Sequence, residues 1–388
     1  MHKYIATFAV SIISALTFGS CQSKSEESGK GRVIHVDIEP QDVAVEDLFD
    51  RIEVVPLETN DSSLIYYIYN RCVTDSDIYV QDFRAMVVYR FGADGKFKNR
   101  IGRIGQGPGE FTLAYGFDID SDKNRAYIVS AFGKVYEYSL SGEFIQDFEL
   151  PWNYSYHNIK KVDNDAWVTW TPSDFGERPI SVLNSGMDSV LYKPNVPRHL
   201  ANTMYSSPNF YRKDGILYVS FSYDNNVYEI RRDSLSIAYT WNFGEYNIKE
   251  EALAVHDIDP SKESHEVVYN RQDNFLNDPK MKQAYLYLMS NNRYDIANVR
   301  YIGEGDDAEP VFMKVFNDRD GDKTYSFLQL KNGMLSCPVR IITDEYLLYQ
   351  IPWRELPLYE EYLPEGMKLS DIDPDDDNPV LARFYFKK

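Results

Sequence analysis

The first stretch whose residue types could do chemistry is the loop at residues 102–110, with the sequence GRIGQGPGE. Glycine-rich loops bind phosphate when they join a strand to the N-terminus of a helix, because the helix amides then point at the anion. Here the residues that follow the loop have the pattern of a strand. The loop is therefore interpreted as a tight crossing between blades, with Arg103 or Glu110 hydrogen-bonded to backbone.

A second candidate is the run DRDGD at residues 318–322, where Asp318, Asp320 and Asp322 could bind calcium through their carboxylates. The closing glutamate of an EF-hand loop is missing at the required spacing. Hairpin turns also favour aspartate and glycine, so the run is interpreted first as a turn and second as a calcium site. The acidic run at residues 371–377 is interpreted as a solvated loop.

Motifs of known enzyme classes are missing from the sequence. It contains no GxSxG elbow, no HExxH zinc motif and no series of Asp boxes. The histidines after the first twenty residues are not paired at the spacing of metal ligands; they are His35, His157, His199, His256 and His265. The sequence therefore predicts no catalytic residue and no zinc site.

Composition limits the class of partner. The formal net charge is −19, which argues against binding to nucleic acid or to an anionic membrane surface, since both need clustered lysine and arginine. Hydrophobic residues make up 43% of the chain and aromatic residues 15%, enough for a sizeable core. The abundance of tyrosine and phenylalanine favours strands over helices.

The N-terminus has the pattern of a bacterial lipoprotein signal. Lys3 precedes an apolar segment at residues 5–18, and Gly19 and Ser20 precede Cys21. We expect residues 1–20 to be a signal peptide, Cys21 to accept the lipid, and residues 21–31 to form a flexible tether. An ordinary secretory signal cleaved elsewhere is the alternative. The remaining cysteines, Cys72 and Cys337, are expected to be two separate thiols, although an exported protein permits a disulfide.

A repeat unit at residues 75–111 indicates the fold. Its central strand, Ile78 to Val80, recurs at residues 126–128, 166–168, 217–219, 311–313 and 346–348, mostly at the period of four-stranded propeller blades. The long interval before residue 311 is explained by an insertion at residues 248–292, with short helices predicted at 249–256 and 279–289. The insertion is interpreted as packing or as a lid over a site.

The two ends of the chain are predicted to close the ring of blades. Residues 33–38 and 380–386 each read as a strand without a neighbouring hairpin partner, so the N-terminal strand is predicted to complete the last blade. A helical piece at residues 353–362 is expected to cap the outside. The predicted fold is an all-β, six-bladed β-propeller spanning residues 32–388, with a short helical insertion between blades four and five.

Segments along the chain resemble a known family, the six-bladed β-propeller lipoproteins of Bacteroidota, which are relatives of NHL-type propellers. These segments are VIHVDIEP, DLFDRIEVVPLET, IYVQD, GKFKNRIGRIGQGPGEF and NPVLARFYFK, and the resemblance covers residues 31–388. It implies the same fold and a lipid-anchored protein of the outer membrane, and Glu26 and Glu27 resemble a surface-export signal. It implies no established activity or catalytic set.

In a propeller, the loops after each second strand share one face with the connections between blades, and ligands usually bind there. The residues that we expect on this face are aromatic and polar: Arg84, Arg103, Gln106, Glu110, Trp170, Arg178, Tyr223 and Asn225. This set favours a non-catalytic module that binds a glycan, a peptide or an envelope protein. The alternative is a metal-dependent propeller hydrolase or lyase with its site at the central channel, because such enzymes take single ligands from different blades.

Overall fold

The computed structural model describes residues 31–152, 156–172, 179–196, 200, 208–248, 264, 266–267, 270, 283–302 and 310–388. The predicted signal peptide, Cys21, Arg178 and the predicted helix at 249–256 lie outside these residues. Within them, no helix is both long enough and apolar enough to cross a membrane.

Most of the described chain folds into antiparallel sheets of four strands, which are the blades of a six-bladed propeller. The N-terminal elements are β1 (Arg32–His35), a short helix α1 (Val45–Leu48) and β2 (Phe49–Pro56). Blade one contains β3 (Ile68–Val73), β4 (Asp77–Asp82), β5 (Val88–Gly92) and β6 (Phe97–Ile101). Blade two contains β7 (Ala114–Asp120), β8 (Arg125–Ser130), β9 (Lys134–Ser139) and β10 (Phe144–Glu149). Blade three contains β11 (Asn158–Asp163), β12 (Ala166–Trp170), β13 (Ile180–Asn184) and β14 (Val190–Tyr192).

The second half of the ring repeats this plan. Blade four contains β15 (Asn209–Lys213), β16 (Ile216–Ser220), β17 (Asn226–Ile230) and β18 (Leu235–Asn242), followed by a 3₁₀ turn (Gly244–Tyr246). Blade five contains β19 (Gln283–Ser290), β20 (Tyr294–Ile302), β21 (Pro310–Asp318) and β22 (Lys323–Phe327). Blade six contains β23 (Ile341–Ile342), β24 (Tyr346–Gln350) and β25 (Val380–Phe386), with 3₁₀ helices between the last two strands (Trp353–Tyr362 and Leu369–Asp371).

The core lies between the blades. Along β8, Ala126 and Ile128 pack toward blade one, whereas Tyr127 and Val129 pack toward blade three. Alternate side chains of a strand point to opposite faces of the sheet, so a strand between two neighbours must be apolar on both. Buried apolar side chains of the described residues form six such clusters, one at each boundary between blades.

Strand direction gives the ring two distinct faces. The first strands of neighbouring blades contact each other, as β3 does β7 and β7 does β11, so these inner strands surround the central channel. Because successive strands run in opposite directions, the loops after the second strands and the connections between blades share one face, called here the loop face. The hairpins after the first and third strands share the other, called the turn face.

The ring is closed by the N-terminal segment, but not by the strand that the sequence indicates. The prediction that residues 33–38 complete the last blade is wrong: β2 pairs with β25 there, as the outermost strand of blade six. β1 instead pairs in parallel with β18 of blade four. β2 supplies buried Phe49, Ile52, Val54 and Val55, and this larger apolar surface explains why it takes the position next to β25.

The structure also corrects blade five. The helix predicted at residues 279–289 is wrong, because β19 occupies most of that range and pairs with β20. Residues 311–313, predicted as a recurrence of the central strand, therefore belong to the third strand of their blade, and residues 317–323 form a turn on the turn face. Leucine, methionine and glutamine favour helix locally, but pairing with an available strand edge outweighs that preference.

Two smaller predictions are confirmed. Cys72 and Cys337 are separate free thiols, both half-buried. Residues 353–362 are helical, and Leu356 and Tyr359 pack from this segment into the cluster between blades five and six.

Candidate functional site

The glycine-rich loop between blades one and two is organised around one carboxylate. Glu110 Oε2 accepts a hydrogen bond from the Gly107 amide at 3.0 Å, and Arg103 Nη1 lies 3.5 Å from Oε1. The hydrogen bond from the Gly107 amide lowers the pKa of Glu110, and the contact with Arg103 lowers it further. A Cβ at Gly105 would lie 2.0 Å from this carboxylate, so the glycine makes room for it. These contacts agree with the interpretation of the loop as a structural crossing.

This loop nevertheless borders an open pocket of about 690 Å³ at the boundary of blades one and two. Arg103 and Glu110 line it together with Ala85 and Val87, which follow β4, and with Phe144. The structure thus brings together the two loops of blade one that the sequence placed on one face. Gln106 is exposed on the same loop.

Arg84 lies on the exposed loop after β4, outside the lining of that pocket. Its guanidinium carbon is 3.3 Å from the centre of the Tyr66 ring. A cation over an aromatic face is held by the ring's quadrupole, so this pair fixes both exposed side chains in one place.

Of the other residues predicted on the loop face, Trp170 and Tyr223 are buried and Asn225 is half-buried. Trp170 is 1% exposed and Tyr223 is 4% exposed, and both pack in the cluster between blades three and four. Asn225 Nδ2 donates to the Trp241 carbonyl at 3.1 Å and to Asn247 Oδ1. Burial raises the pKa of Tyr223, and the nearby charge of Arg300 opposes this rise. These side chains therefore pack beneath the loop face.

The aspartate run lies on the turn face. Asp318 accepts two hydrogen bonds from Arg293, at 3.0 Å from Nε and 2.7 Å from Nη2. It also accepts the amides of Asp320 and Gly321, each at 3.1 Å. Burial opposes its ionisation, but these donors lower the pKa of Asp318 overall. Among the described residues, no three acidic, cysteine or histidine side chains are grouped as a metal site.

A row of aromatic side chains that the sequence analysis did not single out begins on the loop face of blade one. Tyr67 and Phe83 are 60% and 45% exposed, with ring centres 6.5 Å apart. Phe83 lies 5.7 Å from Tyr69 on inner strand β3, and Tyr69 lies 6.3 Å from Tyr115 on inner strand β7. We call the rings from Tyr67 to Tyr115 the aromatic row; it leads from solvent to the inner strands.

A histidine connects the inner end of the aromatic row to blade three. The ring centre of His157, just before β11, lies 4.3 Å from that of Tyr115 and 5.8 Å from that of Trp170. Burial lowers the pKa of His157 to about 4, so the imidazole is neutral at pH 7. It acts there as one more flat ring and not as a cation.

Two arginines lie next to the row, at the inner edges of blades one and six. Arg71 on β3 donates from Nη1 to Gln350 Oε1 at 3.1 Å. Arg340, just before β23, donates from Nη1 to the Tyr287 hydroxyl at 2.6 Å. Burial, followed by the charge of Arg340, lowers the pKa of Arg71 to about 10. Tyr67 and Tyr287 are also electrostatic neighbours of Arg71, which joins the arginine pair to the aromatic row.

The turn face has a smaller pocket, of about 470 Å³, between blades two and three. Its wall contains Tyr127 and Trp167, whose ring centres are 4.4 Å apart. Glu137 accepts hydrogen bonds from Tyr127 and Gln146 and pairs with Arg125 at 3.1 Å. These four polar side chains therefore satisfy one another.

Comparison with known proteins agrees with the fold. A crystal structure of a "Putative exported protein" from Bacteroides fragilis superposes with a TM-score of 0.69 at 19% identity, covering 92% of this chain and 100% of that one. A member of the DUF4221 family from Bacteroides vulgatus gives a TM-score of 0.48 at 9% identity, covering 88% of this chain and 98% of that one. No curated protein matches the sequence.

A protein-family model also matches this chain. The model described as "Domain of unknown function (DUF4934)" matches residues 32–385, which is nearly all of the propeller. The chain therefore belongs to the DUF4934 family.

Proposed function

We propose that this protein is an exported, lipid-anchored binding module that takes a glycan, peptide or partner protein on the loop face of its propeller, without catalysis. The observation that carries the proposal is the aromatic row, which begins at exposed Tyr67 and Phe83 and runs inward through Tyr69 to Tyr115.

Exposed aromatic side chains grouped in one place mark interaction sites, because their apolar surface is costly to leave in water. Tyrosine also brings a hydroxyl, so the same surface can stack on a flat or apolar group and donate a hydrogen bond beside it. Arg84 over Tyr66 adds a positive charge at the outer end of the row. Such a surface suits a ligand with both apolar and polar faces.

Export and anchoring rest on separate support. The apolar segment before Cys21 has the lipoprotein pattern, and the Bacteroides fragilis protein of similar fold carries a name that describes export. We place the protein at the outer membrane, held by lipid on Cys21. Labelling with a radioactive or clickable fatty acid tests this, since Cys21→Ala must remove the label if Cys21 is the acceptor.

A binding screen tests the function. The mature protein is applied to glycan and peptide arrays, and Kd values for the strongest ligand are measured by calorimetry. We expect Tyr69→Ala with Tyr115→Ala to weaken binding at least tenfold, while the melting temperature shows that the variant is folded. Phe144→Ala is the matched variant at the pocket beside the glycine-rich loop, and it should leave Kd unchanged. If Phe144→Ala removes binding and the tyrosine variant does not, the site is that pocket and the proposal is wrong.

A further inference from the structure

Arg71 and Arg340 occupy corresponding positions in neighbouring blades. In blade one the Thr74 amide donates to the Asp77 carbonyl at 2.9 Å, and in blade six the Thr343 amide donates to the Tyr346 carbonyl at 2.8 Å. Arg71 and Arg340 each lie three residues before these threonines. Blades one and six adjoin where the ring closes, and Arg340 is an electrostatic neighbour of Arg71 across this boundary.

Several other partly buried arginines in the described part of the chain lie on carboxylates. Arg293 binds Asp318 at 2.7 Å, Arg319 binds Asp295 at 2.5 Å, and Arg90 binds Asp77 at 2.9 Å. Arg71 differs: within the described part of the chain, no carboxylate lies within 4.0 Å of it, and its hydrogen bond goes to the neutral amide of Gln350. This difference is notable because the chain has 60 acidic residues that are available to pair with its arginines.

A guanidinium cannot avoid the cost of burial by losing its proton at physiological pH. A like charge nearby adds to that cost, and water screens it only in part, because Arg71 is half-buried although Arg340 is exposed. Arg71 has both disadvantages, and its lowered pKa reflects them. An anion placed between the two groups removes both, because guanidinium binds carboxylate and sulfate through paired N–H donors.

We propose that Arg71 and Arg340 bind the carboxylate or sulfate group of an acidic saccharide whose sugar rings lie along the aromatic row. This proposal rests on the function proposed above and names the ligand class. A saccharide fits because a pyranose ring presents C–H groups to an aromatic face and hydroxyls to the phenols beside it. The row reaches Arg71 through Tyr67, its electrostatic neighbour, so we expect one short oligosaccharide to contact both.

The test compares charged and neutral probes on the mature protein. Calorimetry measures Kd for a galacturonic acid trimer, a neutral galactose trimer, inorganic sulfate and a glutamate-rich peptide, at one ionic strength. We expect the acidic trimer to bind at least tenfold tighter than the neutral one. Arg71→Gln and Arg340→Gln should each reduce that preference about tenfold. Arg71→Lys should lose part of it, because an ammonium lacks the paired donors.

Arg232→Gln is the control variant. It removes the same charge from an exposed arginine that pairs with Asp163 and Asp165, and it should leave the preference unchanged. Arg71→Gln should melt no lower than the wild type, because the change relieves repulsion. An equal preference in wild type and in the Arg71→Gln, Arg340→Gln double variant overturns the proposal.

Other outcomes separate this inference from the proposed function. Binding of neutral and acidic trimers with equal Kd, dependent on Tyr69 and Tyr115, overturns the acidic ligand and leaves the binding function standing. Arginine-dependent binding of the peptide alone overturns the saccharide. Arginine-dependent binding of sulfate with no saccharide or peptide bound overturns the saccharide and the proposed function together.

Discussion

Blade five and the inner edge of blade one differ in the groups that surround an arginine side chain. On the turn face, Arg293 forms a two-point ion pair with Asp318, whose carboxylate is also held by backbone amides. Beside the channel, Arg71 contacts a neutral amide and has another arginine as an electrostatic neighbour. The first arrangement is complete without a ligand. The second is the kind that a bound anion completes, so the comparison separates structural charges from candidate binding groups.

A third cation, Lys314, avoids the cost of a buried positive charge in another way. Lys314 on β21 is fully buried, and its Nζ donates to the carbonyls of Leu328, Ser336 and Phe312. Burial lowers its pKa to about 7, with opposing contributions from Cys337 and Glu355. A lysine can give up its proton near neutral pH, whereas Arg71 cannot. Four predictions test this comparison, from the largest expected effect to the smallest.

The largest effect concerns Lys314 and pH. Because the folded pKa of about 7 lies below the ordinary value of 10.5, the unfolded state binds more protons between these values. Stability therefore rises with pH across this window. Denaturant unfolding of wild type and Lys314→Met from pH 7 to pH 10 measures this, and the difference should shift in favour of the wild type. A difference that is independent of pH would mean that Lys314 stays charged throughout.

Next is the ion pair on the turn face. Arg293→Ala leaves the buried carboxylate of Asp318 without its two charged hydrogen bonds. We expect a loss of about 2 kcal/mol in the free energy of unfolding, given that Arg293 is partly exposed. Arg232→Ala breaks an exposed ion pair and should cost less than about 1 kcal/mol. Equal costs for the two variants would show that burial does not distinguish these pairs.

A smaller effect is expected at His157. Its folded pKa of about 4 lies below the ordinary value of 6.5, so the unfolded state binds more protons between the two. Stability should fall as pH drops through this window, by about 1 kcal/mol for a half-buried group. His157→Gln should lack this part of the pH dependence in thermal unfolding. The same slope in both proteins would refute a neutral His157.

The smallest effect on stability is expected for Arg71→Gln. Removing one of two neighbouring positive charges should change the free energy of unfolding by less than about 0.5 kcal/mol, or raise it slightly. Urea unfolding of Arg71→Gln beside Arg293→Ala measures this directly. A loss as large as that of Arg293→Ala would make Arg71 a structural group and remove the contrast.

The sequence predicts the fold because the second strands carry a strong signal. Runs such as Ile78 to Val80 are apolar on both faces, and their spacing follows the blade period. The sequence pattern does not predict β19 of blade five, because its residues favour helix locally and it becomes a strand by pairing with β20. It also fails at closure, where β1 and β2 both read as strands and only packing chooses between them.

The site is harder to predict than the fold because its residues lie on inner strands. These strands face the channel and are partly polar, as in the sequence IYNRCV of β3, so they lack the alternation that marks a strand. Tyr69, Tyr115 and His157 nevertheless lie near the starts of successive inner strands, about one blade apart in the chain. Aligning the repeats on their second strands could have found them. Loop residues such as Arg103 and Glu110 have a more distinctive sequence pattern, but they contact each other.

Hydrogen–deuterium exchange of the mature protein, with and without the strongest ligand from the array, tests the central claim most directly. If the ligand lies on the aromatic row, exchange slows in peptides that cover residues 66–71 and 114–116. Exchange in residues 102–110 and on the turn face around residues 318–322 should not change. Protection confined to residues 102–110 would contradict the account and place the ligand in the pocket beside the glycine-rich loop.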